Sequence, residues 1–189
     1  MASPNIENLM ARTNGPRMRV GGSLYKQIAD KTVVNTTTET SLIGTGSPGD
    51  SLVLGANFFE VGTSLKWRLM GYIADTGTPT IQIKVKLGTT AIYDTGAQSL
   101  PSLSGNQLIY MEGQCTCRTV GASGTIFACS EVYANTGSSS LGNLDVTVPT
   151  AAVTVDTTAS QTLDITVTWG TASASNTITS NVFILGINN

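Results

Sequence analysis

From Thr80 to Leu87 the chain reads TIQIKVKL, with Ile81, Ile83, Val85 and Leu87 alternating with Gln82, Lys84 and Lys86. A period of two marks a strand with one buried and one wet face. The same alternation recurs from Leu65 to Ile73 and from Leu163 to Trp169. Shorter runs rich in Val, Ile and Thr (KTVVNT, TSLIG, SLVLG, LDVTV, AVTVDT and TITSNVFILGI) are bounded by Gly, Pro, Asn and Ser. QLIYMEGQCTCRTV and GTIFACSEVY flank Gly121-Ala122-Ser123-Gly124 and are predicted to pair as a long antiparallel hairpin. Ser47-Pro48-Gly49-Asp50 and the stretch from Asp75 to Pro79 read as turns. Roughly eight to ten strands result, at the spacing of a sandwich or barrel. With almost no helical periodicity between them, parallel βαβ architecture is disfavoured. The expectation is an all-β protein, an antiparallel jelly-roll-like β-sandwich over residues 31–189.

Residues 1–30 differ, and are expected to form an extended N-terminal arm. Ile6, Leu9 and Met10 have helical spacing, as do Leu24 and Ile28, but Asn14-Gly15-Pro16 and Gly21-Gly22 interrupt any long helix. One or two helical turns are predicted there. The arm is also cationic. Residues 1–31 hold Arg12, Arg17, Arg19, Lys26 and Lys31 against Glu7 and Asp30, a net of +3, while the remainder carries −5. Five charges over thirty residues fall short of a nucleic-acid arm, and docking on an acidic protein neighbour is the sharper reading.

Composition agrees with strands. Ser and Thr supply 47 of the 189 residues and only 12% are charged, so the polar faces are hydroxyl-rich. No stretch approaches the about 18 apolar residues of a membrane span, and the start resembles no signal peptide. Assembly in a reducing cytoplasm is expected, without membrane or nucleic acid as partner.

Candidate chemistry is sparse. Asp75-Thr76-Gly77 and Asp94-Thr95-Gly96 have the form of an aspartic-protease signature, and Ile184-Leu185-Gly186 imitates the element that supports such a loop. That chemistry needs two carboxylates sharing one proton. The two Asp residues lie only 19 apart, however, and Asp-Thr-Gly at a strand end is ordinary turn chemistry, the Gly taking a positive φ. Absence of His excludes the His-based triads and removes the commonest zinc ligand. Cys115 and Cys117 share a strand face with Ile109 and Met111, as buried thiols would, and Cys129 is distant. Asp145, Asp156 and Asp164 lack the close spacing of a calcium loop and read as solvated strand positions. Asn35-Thr36-Thr37 is a formal glycosylation sequon without secretory context. Trp67 and Trp169 are placed in the core, while Tyr72, Tyr93, Tyr110 and Tyr133 could line a carbohydrate groove. No catalytic, cofactor or metal site is assigned.

The runs KTVVNTTTETSLIGTG, GTPTIQIKVKLGTTAIYDTGA, CRTVGASGTI and DITVTWGTASASNTIT resemble virion structural proteins of tailed bacteriophages, over about residues 31–189. That resemblance implies a non-enzymatic virion protein. Its forms are a homo-oligomeric head decoration or cement protein, a trimer among them, bound to the major capsid protein on the capsid surface, or a tail-fibre piece. In the first form Arg12, Arg17, Arg19, Lys26 and Lys31 are the expected capsid interface. In the second, loops 97–106 or 135–143 would bind host-surface glycan. An aspartic protease is the enzyme-class alternative.

Overall fold

The structure is a computed structural model, which describes residues 23–103, 105–135, 141–145 and 149–187. Fourteen strands follow one another, with no helix among the described residues: β1 (Ser23–Lys26), β2 (Lys31–Val34), β3 (Thr40–Ser41), β4 (Val53–Leu54), β5 (Ser64–Ala74), β6 (Thr80–Leu87), β7 (Thr90–Asp94), β8 (Gln98–Ser99), β9 (Gln107–Thr119), β10 (Gly124–Asn135), β11 (Leu141–Asp145), β12 (Val153–Val155), β13 (Gln161–Trp169) and β14 (Thr177–Ile187). Two antiparallel sheets pack face to face. The larger runs β1-β14-β5-β9-β10-β11, with β2 also on β14 and β12 also on β10; the smaller runs β3-β13-β6-β7, with β4 on β13 and β8 on β6.

This connectivity is a jelly roll. If β1/β2 is counted as one interrupted edge strand and β3/β4 as the next, followed by β5, β6, β7, β9, β13 and β14, the sheets order first-eighth-third-sixth and second-seventh-fourth-fifth. The hairpin partner β10, with β11 and β12 along its far side, widens the larger sheet beyond β9. Interrupted edges also explain why fourteen strands appear where the sequence suggested eight to ten: four edge positions, β1/β2, β3/β4, β7/β8 and β11/β12, each hold two short strands end to end.

Alternation builds the core. Ile81, Ile83, Val85 and Leu87 of β6 stand opposite Trp169, Val167, Ile165 and Leu163 of β13, and all eight are buried. Such directly opposed apolar pairs are the unit of sheet stabilisation, each contributing about 0.2–1 kcal/mol. From the larger sheet, Leu65, Trp67, Leu69, Ile109, Met111 and Phe183 meet them. Trp67 needs a glycine beside it: a Cβ on Gly113 would lie 2.6 Å from its ring atoms Cε2 and Cζ2. The indole Nε1 then donates to Ser130 Oγ at 3.4 Å.

Residues 23–26, expected in the arm with a helical turn, form β1 of the sandwich instead. The spacing of Leu24 and Ile28 was outweighed by Tyr25, which is buried, stacks at 5.9 Å on Phe183 and donates its hydroxyl to the Gly44 carbonyl at 2.5 Å. Gln27 then ties in the following bend, with Nε2 donating to the Ser180 carbonyl at 2.8 Å. The rest of the predicted arm, residues 1–22, lies outside the described residues.

Candidate interaction face

The outer face of the larger sheet departs from the polar surface expected of a wet face. Ladder register defines its rows across β14, β5, β9 and β10. One row reads Val182, Met70, Tyr110, Tyr133 and the next reads Ile184, Arg68, Glu112, Glu131. Tyr72 and Leu108 pair beyond the first row, and Lys66, Gln114 and Cys129 beyond the second. Met70, Leu108, Val182 and Ile184 are all exposed large apolar side chains, and the Tyr110 and Tyr133 rings lie 6.4 Å apart, tilted by 38°.

Charge on this face is banded. Arg68 donates from Nε and Nη2 to Glu112 Oε2, at 3.0 and 2.8 Å, and the Tyr110 hydroxyl donates to the same oxygen. Those bonds, Tyr110 first and Arg68 second, hold the Glu112 carboxyl below its ordinary range. Glu131 stands directly opposite Glu112 and accepts from the Tyr133 hydroxyl at 3.1 Å. Lys66, Tyr110, Glu112, Gln114, Cys129 and Glu131 rim a depression of about 450 Å³, with Gly113 and Ser130 in its floor. It can offer an aromatic wall, two carboxylates, an amide and an ammonium.

The sequence-derived candidates fall elsewhere. Lys26 is exposed on β1, its backbone N–H donating to Asp50 Oδ2 at 2.9 Å, and Lys31 opens β2. Both sit on the β1/β2 edge of the larger sheet; Arg12, Arg17 and Arg19 lie outside the described residues. Asp94 is exposed and accepts at Oδ1 from Gly96 N–H at 2.8 Å and Gln82 Nε2 at 2.7 Å. Asp75 is buried past the end of β5, accepting at Oδ1 from Leu103 N–H at 3.3 Å. No hydrogen bond joins the two carboxylates, and Gly77 and Gly96 take positive φ, as turn glycines do. Ile184-Leu185-Gly186 is an interior stretch of β14, laddered to Arg68, Trp67 and Lys66.

Cys115 and Cys117 are buried on the face of β9 that carries Ile109 and Met111, and burial pushes the Cys115 thiol up to about 12. Trp67 and Trp169 are core residues. Tyr93 is buried as well, so it lines no groove. Asp145, read as solvated, is buried at 7% exposure, and the Tyr93 hydroxyl bonds to it. Asp164 is half-buried and accepts from Ser41 Oγ at 2.7 Å. Among the described residues, no group of three or more Cys, Asp or Glu could hold a metal ion, and no helix is long and apolar enough to cross a membrane. Of the two candidate glycan loops, 97–106 folds inward through buried Leu100 and Leu103. The other, 135–143, is partly β11, and residues 136–140 lie outside the described set.

Two features had no direct sequence signal. Glu39 receives Lys86 Nζ at 2.6 Å, Lys84 Nζ at 3.1 Å and Thr166 Oγ1 at 3.1 Å on the outer face of the smaller sheet. Among the described residues, three buried polar atoms without partners, Asp75 Oδ2, Asn176 Oδ1 and Trp169 Nε1, all belong to the end of the sandwich where β5 turns into β6 and β13 into β14. Asp75 and Asn176 flank the last ladder pair of β5 and β14, Ala74 with Thr177.

No protein-family model, curated protein or solved structure matches the chain.

Proposed function

We propose that the protein is a non-enzymatic virion structural protein of a tailed bacteriophage, a decoration or cement protein on the capsid surface. The observation that carries this reading is where the cationic segment is rooted. Residues 1–22 lead directly into β1, and Lys26 and Lys31 continue their positive charge along the β1/β2 edge of a jelly roll. Arg12, Arg17, Arg19, Lys26 and Lys31 are the residues assigned to an acidic surface of the major capsid protein. Many copies on a symmetric lattice add avidity to a modest single-site affinity. A body with few charges and many hydroxyls packs against neighbouring copies at low desolvation cost.

Co-sedimentation with empty capsids that lack the protein tests this. The truncated version should begin at Ser23, since removing β1 would uncover β14. The full chain is expected to bind stoichiometrically and the truncated chain not to bind. Equal binding by both would sink the anchoring role of the segment.

A tail-fibre or spike domain that binds host-surface glycan is the second reading, favoured by the Tyr110 and Tyr133 pair above its carboxylate-lined depression. In that case the truncated chain adheres to host cells and neither chain sediments with capsids.

A further inference from the structure

We propose that the outer face of the larger sheet is the contact between two copies of this chain, stacked about a two-fold axis that runs close to the direction of β9. Among the described residues nine large apolar side chains are exposed, and four of them share this face: Met70 at 37%, Leu108 at 40%, Val182 at 39% and Ile184 at 41%. They occupy the adjacent strands β14, β5 and β9, and the Tyr110 and Tyr133 rings extend the same face onto β10. A contiguous apolar patch of this kind marks an interaction site rather than ordinary scatter.

The banding of charge says what covers it. Lys66 and Arg68 lie on β5, while Glu112 and Glu131 lie on β9 and β10. A two-fold axis along β9 exchanges the two sides, so β5 of one copy lies over β10 of the other and β14 lies over the β11/β12 edge. Arg68 then faces the partner's Glu131, because both belong to one row, and Lys66 stands one row away. Neither Lys66 nor Glu131 belongs to an ion pair among the described residues, so each is available across the contact. In the other row Met70 meets the partner's Tyr133, a sulfur on an aromatic ring, and Tyr110 meets its own counterpart. Glu112 also lies on the axis and meets its own counterpart, each carboxylate already held by its own Arg68, and the flanking Arg68–Glu131 and Met70–Tyr133 contacts are repeated on both sides of it, as in an isologous dimer.

Size agrees. β9 has 13 residues. At about 3.4 Å per residue, and with the five strand positions from β14 to the β11/β12 edge about 4.8 Å apart, the face measures roughly 40 by 24 Å. That is close to the about 800 Å² per partner of a standard interface. Strands of two stacked sheets align within about 30°, as this axis requires.

The proposal rests on the self-association part of the reading above. Its test uses no capsid, so the two can fail separately. The full chain is examined by light scattering during size-exclusion chromatography, at up to about 100 μM, above the micromolar range of weak interfaces of this size. The expected result is a dimer. Lys66→Glu and Glu131→Lys, both at exposed positions, should each weaken it at least tenfold while leaving the melting temperature of the monomer unchanged. A monomer at the highest concentration, a trimer, or a dimer indifferent to both substitutions would overturn the proposal. So would a monomer whose adhesion to host envelope glycan is lost in Tyr110→Ala, since the face would then belong to the glycan.

Discussion

The Tyr93 hydroxyl on β7 donates a 2.6 Å hydrogen bond to Oδ2 of Asp145 on β11, joining the outermost strand of the smaller sheet to the far edge of the larger one. Burial, and then the carboxylate, hold the Tyr93 hydroxyl above its ordinary pKa, so it remains a donor. Tyr93→Phe removes one partner of a buried carboxylate and is expected to lower stability by about 1.5–3 kcal/mol. Urea denaturation checks this: the midpoint should fall with an unchanged slope.

Asp75 should work in the opposite direction. Burial raises its pKa above 3.8, against the weaker pull of the Leu103 N–H. The native state therefore binds the proton to higher pH than the unfolded chain does. The sign follows: the full contribution is present below the unfolded value and is lost as pH rises through the native one. Asp75→Asn removes that loss, because an amide does not ionise. A gain of about 1 kcal/mol at pH 7, shrinking toward pH 3, is the expected outcome in thermal melts. A variant less stable than the parent at pH 7 would show that the carboxylate is needed in its charged form.

Glu39 has the ordinary sign. Lys86, with help from Lys84 and Thr166, lowers its pKa from 4.5 to about 2. Its contribution is present above the unfolded value and is lost as pH falls from about 4.5 to about 2. Because the cluster is partly exposed, Glu39→Gln should cost only about 0.5–1 kcal/mol at pH 7 and almost nothing at pH 2. Denaturation at the two pH values, with and without added salt, measures the difference.

The long strands were legible because each buries one face along its whole length. The period over 80–87 coincides with β6, and those from Leu65 to Ile73 and from Leu163 to Trp169 fall within β5 and β13. Short edges were less legible: β1 holds one deeply buried side chain, Tyr25, and one residue sets no period. Asp75 could have been found by parity, since it continues the inward positions of Trp67, Leu69 and Ile73. The outer face carried its own signal, with Met70, Tyr72, Leu108 and Tyr110 at positions that alternation assigns to water. Asp145 gave none, because its burial depends on Tyr93, 52 residues earlier.

In the antiparallel ladder between β1 and β14, Ser23 stands opposite Gly186, so the chain enters and leaves the sandwich at the same end of one strand pair. Ladder hydrogen bonds lie perpendicular to the strands. Tension between entry and exit therefore loads them one after another, as a zipper is loaded, and not all together in shear. A domain tethered by its first residues and pulled from its last peels open along this seam, whatever its thermal stability. Force entering through the broad face loads the two sheets in compression and leaves the seam closed, so mechanical strength in this molecule has a direction.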